Sequence, residues 1–184
     1  MDLSGKCLIA MPGLADPRFE KSLVFLCAHS PEGTMGLIVN RPLPEITFRA
    51  LLDRVNIAPT SDMRPLAVRY GGPVEPGRGF VLHSADYTAG STTMRTGAGL
   101  GLTATLDVLE ALARGQGPSL ALFALGYAGW GPGQLEAEIL RNDWLTCDAP
   151  AALVFGADDG AKWERALALL GVDALSLSAT AGRA

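Results

Sequence analysis

Short apolar runs separated by turn residues fill the N-terminal part of the chain, a pattern typical of β-strands. The first run covers residues 5–13 and ends at a Pro-Gly pair. Two more runs, at residues 21–29 and 34–42, flank the sequence SPEG at residues 30–33, whose proline and glycine positions fit a type I turn. The pattern therefore predicts one strand followed by a β-hairpin over residues 22–40.

Apolar residues recur at helical spacing further along the chain. Four helices are predicted, over residues 46–55, 103–115, 133–141 and 161–171. Thr47 is suited to cap the first of them, and Gly115 and Gly171 are suited to end the second and the fourth. Four further strands are predicted, over residues 66–74, 77–87, 91–97 and 118–126. The last residues, 177–184, are small and polar and are expected to form a frayed tail.

The order of these elements predicts the fold class. Hairpins come first and most helices come late, whereas a doubly wound parallel sheet would alternate strands and helices throughout. The 184 residues contain no internal repeat and no linker of distinct composition, and a domain of this size buries roughly 70% of its unfolded surface. We therefore expect residues 1–184 to form a single α/β domain of the α+β type.

Composition indicates where in the cell the protein is expected and which roles its cysteines can have. No apolar run reaches the ~18 residues needed to cross a bilayer, and the N-terminus lacks the basic flank of a secretory signal, so a cytoplasmic protein is expected. Cys7, Cys27 and Cys147 are widely spaced and odd in number, which gives no disulfide framework and no zinc motif. Buried, reduced thiols are the favoured interpretation, with a redox or nucleophilic role as the alternative.

The charge balance argues against direct nucleic-acid binding. The net charge is −4, the isoelectric point is near 5.1, and only three lysines occur. Cationic groups that neutralise phosphates supply most of the affinity for DNA, so a DNA-binding face would need the arginines gathered together, and they are scattered instead. A protein or small-molecule partner is expected in place of nucleic acid.

A glycine-rich segment over residues 126–133 is the first candidate for ligand binding. It follows a predicted strand and precedes a predicted helix, which is where many proteins hold a phosphate. Gly129 and Gly131 match the first pair of a dinucleotide fingerprint, but position 134 is glutamine, and no lysine follows as a P-loop requires. A structural corner is therefore favoured over an anion site, and Gly129, Trp130 and Gly131 are kept as candidate ligand contacts.

Polar residues and glycines at strand ends are the second group of candidates. An arginine beside glycines can present its planar guanidinium to a carboxylate or a phosphate. The candidate ligand contacts of this group are Asn40, Arg41, Arg69, Gly71, Gly72 and His83. The structural alternatives are that Asn40 caps a turn, that Arg41 pairs with Glu45, and that His83 is a polar strand end.

The two histidines offer no evident catalytic or metal site. His29 and His83 are far apart and have no acidic partner at ligand spacing, so no metal site is expected. Ser84, His29 and Asp86 could supply the residue types of a catalytic triad, but no G-x-S-x-G elbow supports one. No catalytic residue and no cofactor is therefore predicted.

Four segments of the chain, in order, resemble the blocks of the AlgH/YqgE family. They are AMPGLADPRFEKSLVFLCAHSPEGTMGLIVNRPL, RYGGPVEPGRGFVLHS, GYAGWGPGQLEAEILRNDWL and KWERALALLGVDALSLSATAGRA. The resemblance implies a bacterial protein whose largely antiparallel, bifurcated sheet curls into a pseudo-barrel with helices packed outside. The family commonly ends in a GHA-like sequence, whereas this chain ends in Gly182-Arg183-Ala184.

The resemblance implies less about function. The family is often labelled a transcriptional regulator and has no agreed catalytic residues. We therefore favour a cytoplasmic regulatory or binding module that acts through a protein or a small molecule, without direct DNA contact. The alternative is an enzyme, or a binder of a small anion or nucleotide, whose pocket gathers Arg41, Arg69, His83 and the Trp130 loop.

Overall fold

A computed structural model describes the backbone of residues 1–181 and the side chains of residues 1–177. Within this part of the chain, ten strands form: β1 (Cys7–Ala10), β2 (Leu23–Ser30), β3 (Gly33–Ile38), β4 (Pro42–Thr47), β5 (Ala67–Tyr70), β6 (Val74–His83), β7 (Thr93–Arg95), β8 (Gly101–Thr103), β9 (Ala121–Trp130) and β10 (Trp144–Cys147). The α-helices of the same part are α1 (Phe48–Arg54), α2 (Leu106–Ala113), α3 (Gln134–Leu140), α4 (Ala151–Val154), α5 (Lys162–Leu169) and α6 (Ala174–Ala181).

The strands join in one mixed but mainly antiparallel sheet. Its main path runs β10-β1-β2-β3-β9-β6-β8-β7, and every neighbouring pair on this path is antiparallel. A branch leaves the path where β5 pairs in parallel with β9, and β4 pairs with β5. The predicted fold class is therefore confirmed: a single α+β domain whose bifurcated sheet curls into a half-barrel.

Strand β9 is the fork of this sheet. Its first half pairs with β5 from Phe123 to Leu125, whereas its second half pairs with β3 from Ala128 to Trp130. Gly71 joins the two branches, since its N–H donates to Leu125 O at 2.7 Å and its carbonyl accepts from Ile38 N at 2.8 Å. A Cβ at Gly71 or Gly72 would collide with the β9 backbone at Gly126 and Tyr127.

Alternating residues of the strands pack against different helices. On one face, Ile9, Phe25 and Leu37 belong to a large apolar cluster with α5. On the other face, Leu8, Val24 and Ile38 pack with α3, and a third cluster joins α1 and α2 to β5, β6 and β9. Both faces are therefore covered, which explains why the strands are apolar at consecutive positions.

The structure agrees with the local signals of the sequence and corrects several boundaries. Helix α1 begins after Thr47, whose hydroxyl accepts the Ala50 N–H at 3.1 Å, as predicted. The predicted glycine-rich loop at 126–133 is wrong over most of its length, because β9 continues to Trp130. Strands β4, β8 and β10 were not predicted.

The C-terminal end of the chain is helical for most of its described length. The sequence predicts a frayed tail over 177–184, and the backbone is helical as far as Ala181. Residues 182–184, including the departure from the GHA-like ending, lie outside the described residues. Among the described residues, no helix is both long and apolar enough to cross a membrane.

Candidate functional site

A groove of about 740 Å³, here called the central groove, opens between β3 and β9 on one side and β6, β7 and β8 on the other. Its floor is apolar, with Met35, Phe80, Leu102 and Tyr127 continuing the cluster that also contains α5. The ring of Tyr127 meets that of Phe80 edge to face at 5.8 Å. Among the described residues, nothing hydrogen-bonds the Tyr127 hydroxyl.

An irregularity in β6 places a cation at the rim of this groove. Val74 pairs with Tyr127 but Gly79 pairs with Leu125, so residues 75–78 loop out of the ladder. This loop carries the Arg78 guanidinium over the Phe80 ring, with 5.1 Å between its central carbon and the ring centroid. Its other partner is Glu75, at 3.3 Å between Nη1 and Oε2, and the Arg78 side chain is 54% exposed. Arg78 can therefore reach a ligand in the groove.

The glycine-rich corner contributes to the groove only at its edge. Gly129 and Trp130 line it, because they pair with Met35 and Thr34 of β3. Gly131 does not, since its N–H donates to Gln134 Oε1 at 3.0 Å and closes the corner from within. The helix that follows, α3, has seven residues. This geometry agrees with the structural-corner interpretation.

The Trp130 indole faces a cluster on the opposite side of the sheet. Its Nε1–H donates to Glu138 Oε2 at 2.9 Å, and Trp144 donates to the same oxygen at 2.8 Å. The two indoles pack edge to face at 5.8 Å, and Phe19 packs on both. Trp130 is therefore mainly a structural residue that ties α3 to β9 and β10.

Asn40 and Arg41 both hold the loop that precedes β2. Asn40 accepts the Leu23 N–H at 2.9 Å and donates to Lys21 O at 2.8 Å. Arg41 donates to the carbonyls of Arg18 and Glu20, the latter at 3.0 Å. The predicted Arg41–Glu45 pair is wrong, because the guanidinium turns towards these backbone acceptors instead.

Arg69 belongs to a buried ionic cluster under α5. Its Nε lies 3.1 and 3.2 Å from the two oxygens of Asp159, and Lys162 Nζ lies 2.9 Å from the same carboxylate. Lys162 also donates to Val39 O and Val154 O at 2.9 Å each, which uses all three of its N–H groups. Burial is the main cause that lowers the pKa of the Lys162 ammonium.

His83 is a buried structural residue at the end of β6. Nδ1 lies 2.9 Å from Ser84 O, which can only accept, so Nδ1 carries the proton. Nε2 then accepts from Thr103 Oγ1 at 2.8 Å, and Thr103 accepts in turn from Thr93 at 2.9 Å. Both ring nitrogens are satisfied inside the protein, as the strand-end interpretation predicts.

Ser84, His29 and Asp86, which could supply the residue types of a catalytic triad, do not all come together in the structure. Ser84 Oγ donates to Asp86 at 2.5 Å, and hydrogen bonds from Ser84 and Ser119 lower the pKa of Asp86 to about 2. His29 is bonded elsewhere: its Nδ1 accepts the Leu3 N–H and its Nε2 lies 2.7 Å from Glu136 Oε1. Sequence spacing gave no sign of this acidic partner, because Glu136 lies 107 positions away along the chain.

The nine sequence candidates thus do not meet in one cavity. Gly129 and Trp130 line the central groove, Gly71 and Gly72 allow two backbones to cross, and the other polar side chains bond within the protein. The groove residues Arg78 and Tyr127 were missed: Arg78 falls in the predicted strand at 77–87, and Tyr127 lies among the glycines of residues 126–133. The sequence Glu75-Pro76-Gly77, which interrupts β6, was the available signal. No cluster of metal-ligating side chains occurs among the residues that the structure describes.

The fold and the groove define a class of small α+β proteins in which a curled, largely antiparallel sheet is covered by helices. A family model described as AlgH-like matches residues 7–175, and the chain belongs to this family. A UPF0301 protein of Cereibacter sphaeroides is 60% identical over 184 residues, with 100% of both chains covered. A UPF0301 protein of Ruegeria pomeroyi is 56% identical over 185 residues, also with 100% of both covered.

Solved structures agree with this assignment. The solution structure of AlgH from Pseudomonas aeruginosa superposes with a TM-score of 0.79 at 40% identity, covering 98% of this chain and 95% of that one. A crystal structure of a Corynebacterium diphtheriae protein shares the fold, with a TM-score of 0.68 at 20% identity over 88% of this chain and 83% of that one. The resemblance noted from the sequence blocks is confirmed.

Proposed function

We propose that this chain is a regulatory binding module of the bacterial cytoplasm, and that its ligand is a small amphiphilic anion held in the central groove. The observation that carries the proposal is the groove itself. Its volume of about 740 Å³ falls within the ~300–1,000 Å³ typical of small-molecule sites. Such sites combine an apolar floor with a few polar groups, and this groove has that composition.

The lining indicates the chemistry of the ligand. Phe80, Leu102 and Met35 offer a surface for a planar or aliphatic body, and Arg78 offers a guanidinium for a carboxylate, sulfonate or phosphate. The bond from Arg78 to Glu75 is long and exposed, so it contributes little and an incoming anion can replace it. A charge-assisted hydrogen bond from Arg78 to a partly desolvated anion is stronger than this exposed ion pair.

The alternative function has weaker support. An enzyme or nucleotide site built from Arg41, Arg69, His83 and the Trp130 loop would need free donors, and each of these side chains already donates to protein atoms. Direct DNA contact is also disfavoured by the net charge of −4. The use of the strand-end residues as ligand contacts stays a prediction.

The test uses 8-anilinonaphthalene-1-sulfonate, which joins an apolar body to an anionic group. Titration of the full chain should enhance its fluorescence and shift the amide NMR signals of Met35, Met94 and Tyr127. Arg78→Ala should weaken binding about tenfold, the effect of losing roughly 1.4 kcal/mol from a charge-assisted hydrogen bond. Met94→Glu should weaken it further, because Met94 is an exposed lining residue and its replacement puts a negative charge in the groove.

Arg165→Ala is the matched control, since Arg165 is exposed on α5 and its loss changes the net charge equally. Binding that is unchanged in Arg78→Ala, or reduced equally in Arg165→Ala, would contradict the proposed site. Amide shifts confined to other parts of the chain would contradict it as well.

A further inference from the structure

Two of the three cysteines face each other across the β1–β10 pair. Cys7 lies directly opposite Cys147 in the antiparallel register, and both side chains belong to the apolar cluster that contains α5. Directly opposed residues of such a pair have Cα atoms about 4.5–5.5 Å apart. This separation lies inside the range of about 4.4–6.8 Å that a disulfide spans. Both cysteines are free thiols.

The two thiols differ in access to solvent. Cys7 is fully buried, whereas Cys147 forms part of the wall of a second groove, of about 570 Å³. Lys6 and Asp148 lie in the same wall and pair at 2.5 Å between Nζ and Oδ1. Cys147 itself is 5% exposed, so of the two cysteines it is the one that a small polar oxidant entering this groove reaches first.

The two thiols also differ in their electrostatic surroundings. The neighbouring Cys7 thiol is the main cause that lowers the pKa of Cys147, and the Lys6 ammonium adds to it against burial and the Asp148 carboxylate. The neighbouring Cys147 thiol, together with burial, raises the pKa of Cys7. A thiolate is the nucleophile in thiol oxidation, so Cys147 is the sulfur that reacts first.

We propose that Cys7 and Cys147 form a peroxide-oxidised dithiol site, in which hydrogen peroxide reaches Cys147 from the second groove and Cys7 closes the disulfide. This site is separate from the central groove and does not depend on the proposed ligand. Disulfides of intracellular proteins are usually transient and serve redox sensing or catalysis, so such a pair would report oxidising conditions.

The reaction balances in two steps. The Cys147 thiolate attacks one peroxide oxygen, the O–O bond breaks, and hydroxide leaves and takes a proton to become water; Cys147 becomes a sulfenic acid. The Cys7 sulfur then attacks the Cys147 sulfur, the S–O bond breaks, and the departing hydroxide takes the Cys7 proton as a second water. Overall, two thiols are oxidised and one peroxide is reduced, giving one disulfide and two waters.

Cys27 provides a matched control within the same cluster. Burial raises the pKa of Cys27 to about 12, and its thiol donates to Phe25 O at 3.9 Å. It lies on β2 at the irregularity between Leu26 and Ala28, and it has no register partner in β1 or β3. We therefore expect Cys27 to stay reduced under conditions that oxidise the other two.

The experiment treats the reduced full chain with a small molar excess of hydrogen peroxide, blocks remaining thiols with N-ethylmaleimide in denaturant, and maps the peptides by mass spectrometry. The expected result is a linked peptide pair containing Cys7 and Cys147, with Cys27 alkylated, and complete reversal by dithiothreitol. Cys27→Ala should give the same linkage. Cys7→Ala should leave Cys147 as a sulfenic acid that dimedone traps.

Three outcomes would overturn the proposal: full alkylation of Cys7 and Cys147 after peroxide treatment, a disulfide that includes Cys27, or conversion of wild-type Cys147 to sulfinic acid without any linked peptide. Should Cys7→Ala fail to fold by circular dichroism, the wild-type peptide map decides by itself.

Discussion

The Glu138 carboxylate illustrates how single polar side chains stabilise corners of this fold. One of its oxygens accepts both indole N–H groups, from Trp130 and Trp144, and the other accepts the Gln134 amide. Gln134 in turn accepts the Gly131 N–H. A buried indole needs an acceptor for its N–H, and one carboxylate on α3 provides it for two strands. The glycine corner is thus closed by neighbouring side chains.

Asp86 is the residue whose titration most directly tests the described hydrogen bonds. Hydrogen bonds from Ser84 and Ser119 stabilise the carboxylate and lower its pKa from 3.8 to about 2. Since the pKa is lower in the folded state than in the unfolded state, the contribution of Asp86 to stability is present above about pH 4 and is lost as the pH falls towards 2. We expect carboxyl NMR of Asp86 to give a midpoint of about 2.

Ser84→Ala is the variant that checks the cause of this shift. It removes the 2.5 Å hydrogen bond to Asp86 Oδ1 and leaves the bond from Ser119 N at 3.0 Å. The Asp86 midpoint should therefore rise towards its ordinary value. A wild-type midpoint near 4, or a midpoint that Ser84→Ala leaves in place, would contradict the assigned hydrogen bonds.

At the scale of elements, a buried ionic cluster fixes α5 against the sheet. Arg69 comes from β5, Lys162 opens α5, and Asp159 lies in the 3₁₀ turn just before it. The side chains of Arg69 and Asp159 are 8% and 11% exposed, and that of Lys162 is 1% exposed. One carboxylate therefore neutralises two cations away from water, and its removal should cost more than loss of a surface ion pair.

Asp159→Asn tests this cluster by leaving two buried cations without their anion. We expect the free energy of unfolding, measured by urea denaturation, to fall by about 3–5 kcal/mol. Asp158→Asn is the control, because Asp158 is exposed, adjacent in sequence and has no ion pair among the described residues. Equal losses in the two variants, or a loss below about 1 kcal/mol for Asp159→Asn, would contradict a structural role for the buried charges.

The elements also explain which parts of the fold the sequence could predict. The hairpin and the cap at Thr47 depend on neighbouring residues, so local patterns were sufficient. Strand β4 has the sequence PLPEIT, with no clean alternation, and only its partner β5 makes it a strand. The extension of β9 through Gly126 depends on the crossing of Gly71 and Gly72, which is a contact distant in sequence.

The candidate site was harder to predict for the same reason. Arg78 and Tyr127 are 49 positions apart by their numbers and line the same groove because β6 pairs with β9. The polar residues that stood out in the sequence were those at strand ends, and strand ends are also where backbone groups need side-chain partners. Asn40, Arg41 and His83 meet that need, and so a polar strand end was a poor guide to a ligand site here.

At the scale of the whole molecule, the branched sheet has a clear centre and three edges. Strand β9 is flanked by β6 on one side and by β5 and then β3 on the other. Among the described residues, β7 pairs only with β8, β10 only with β1 and β4 only with β5. Backbone amides open most rarely where both neighbours and both faces are covered, so resistance to opening should decrease from β9 towards the edges.

Hydrogen–deuterium exchange of the full chain measures this gradient. We expect the amides of Leu122, Phe123 and Ala124 in the first half of β9 to be the slowest class, since their side chains are almost fully buried and their strand has two neighbours. Amides of β7 should exchange at least about a hundredfold faster. This ratio corresponds to a difference of roughly 2.7 kcal/mol in the free energy of opening, which is modest compared with global stability. Exchange of β9 at the rate of β7 would mean that the fork opens as easily as an edge strand. The bifurcated sheet would then not be the stable core that positions the groove, the ionic cluster and the cysteine pair.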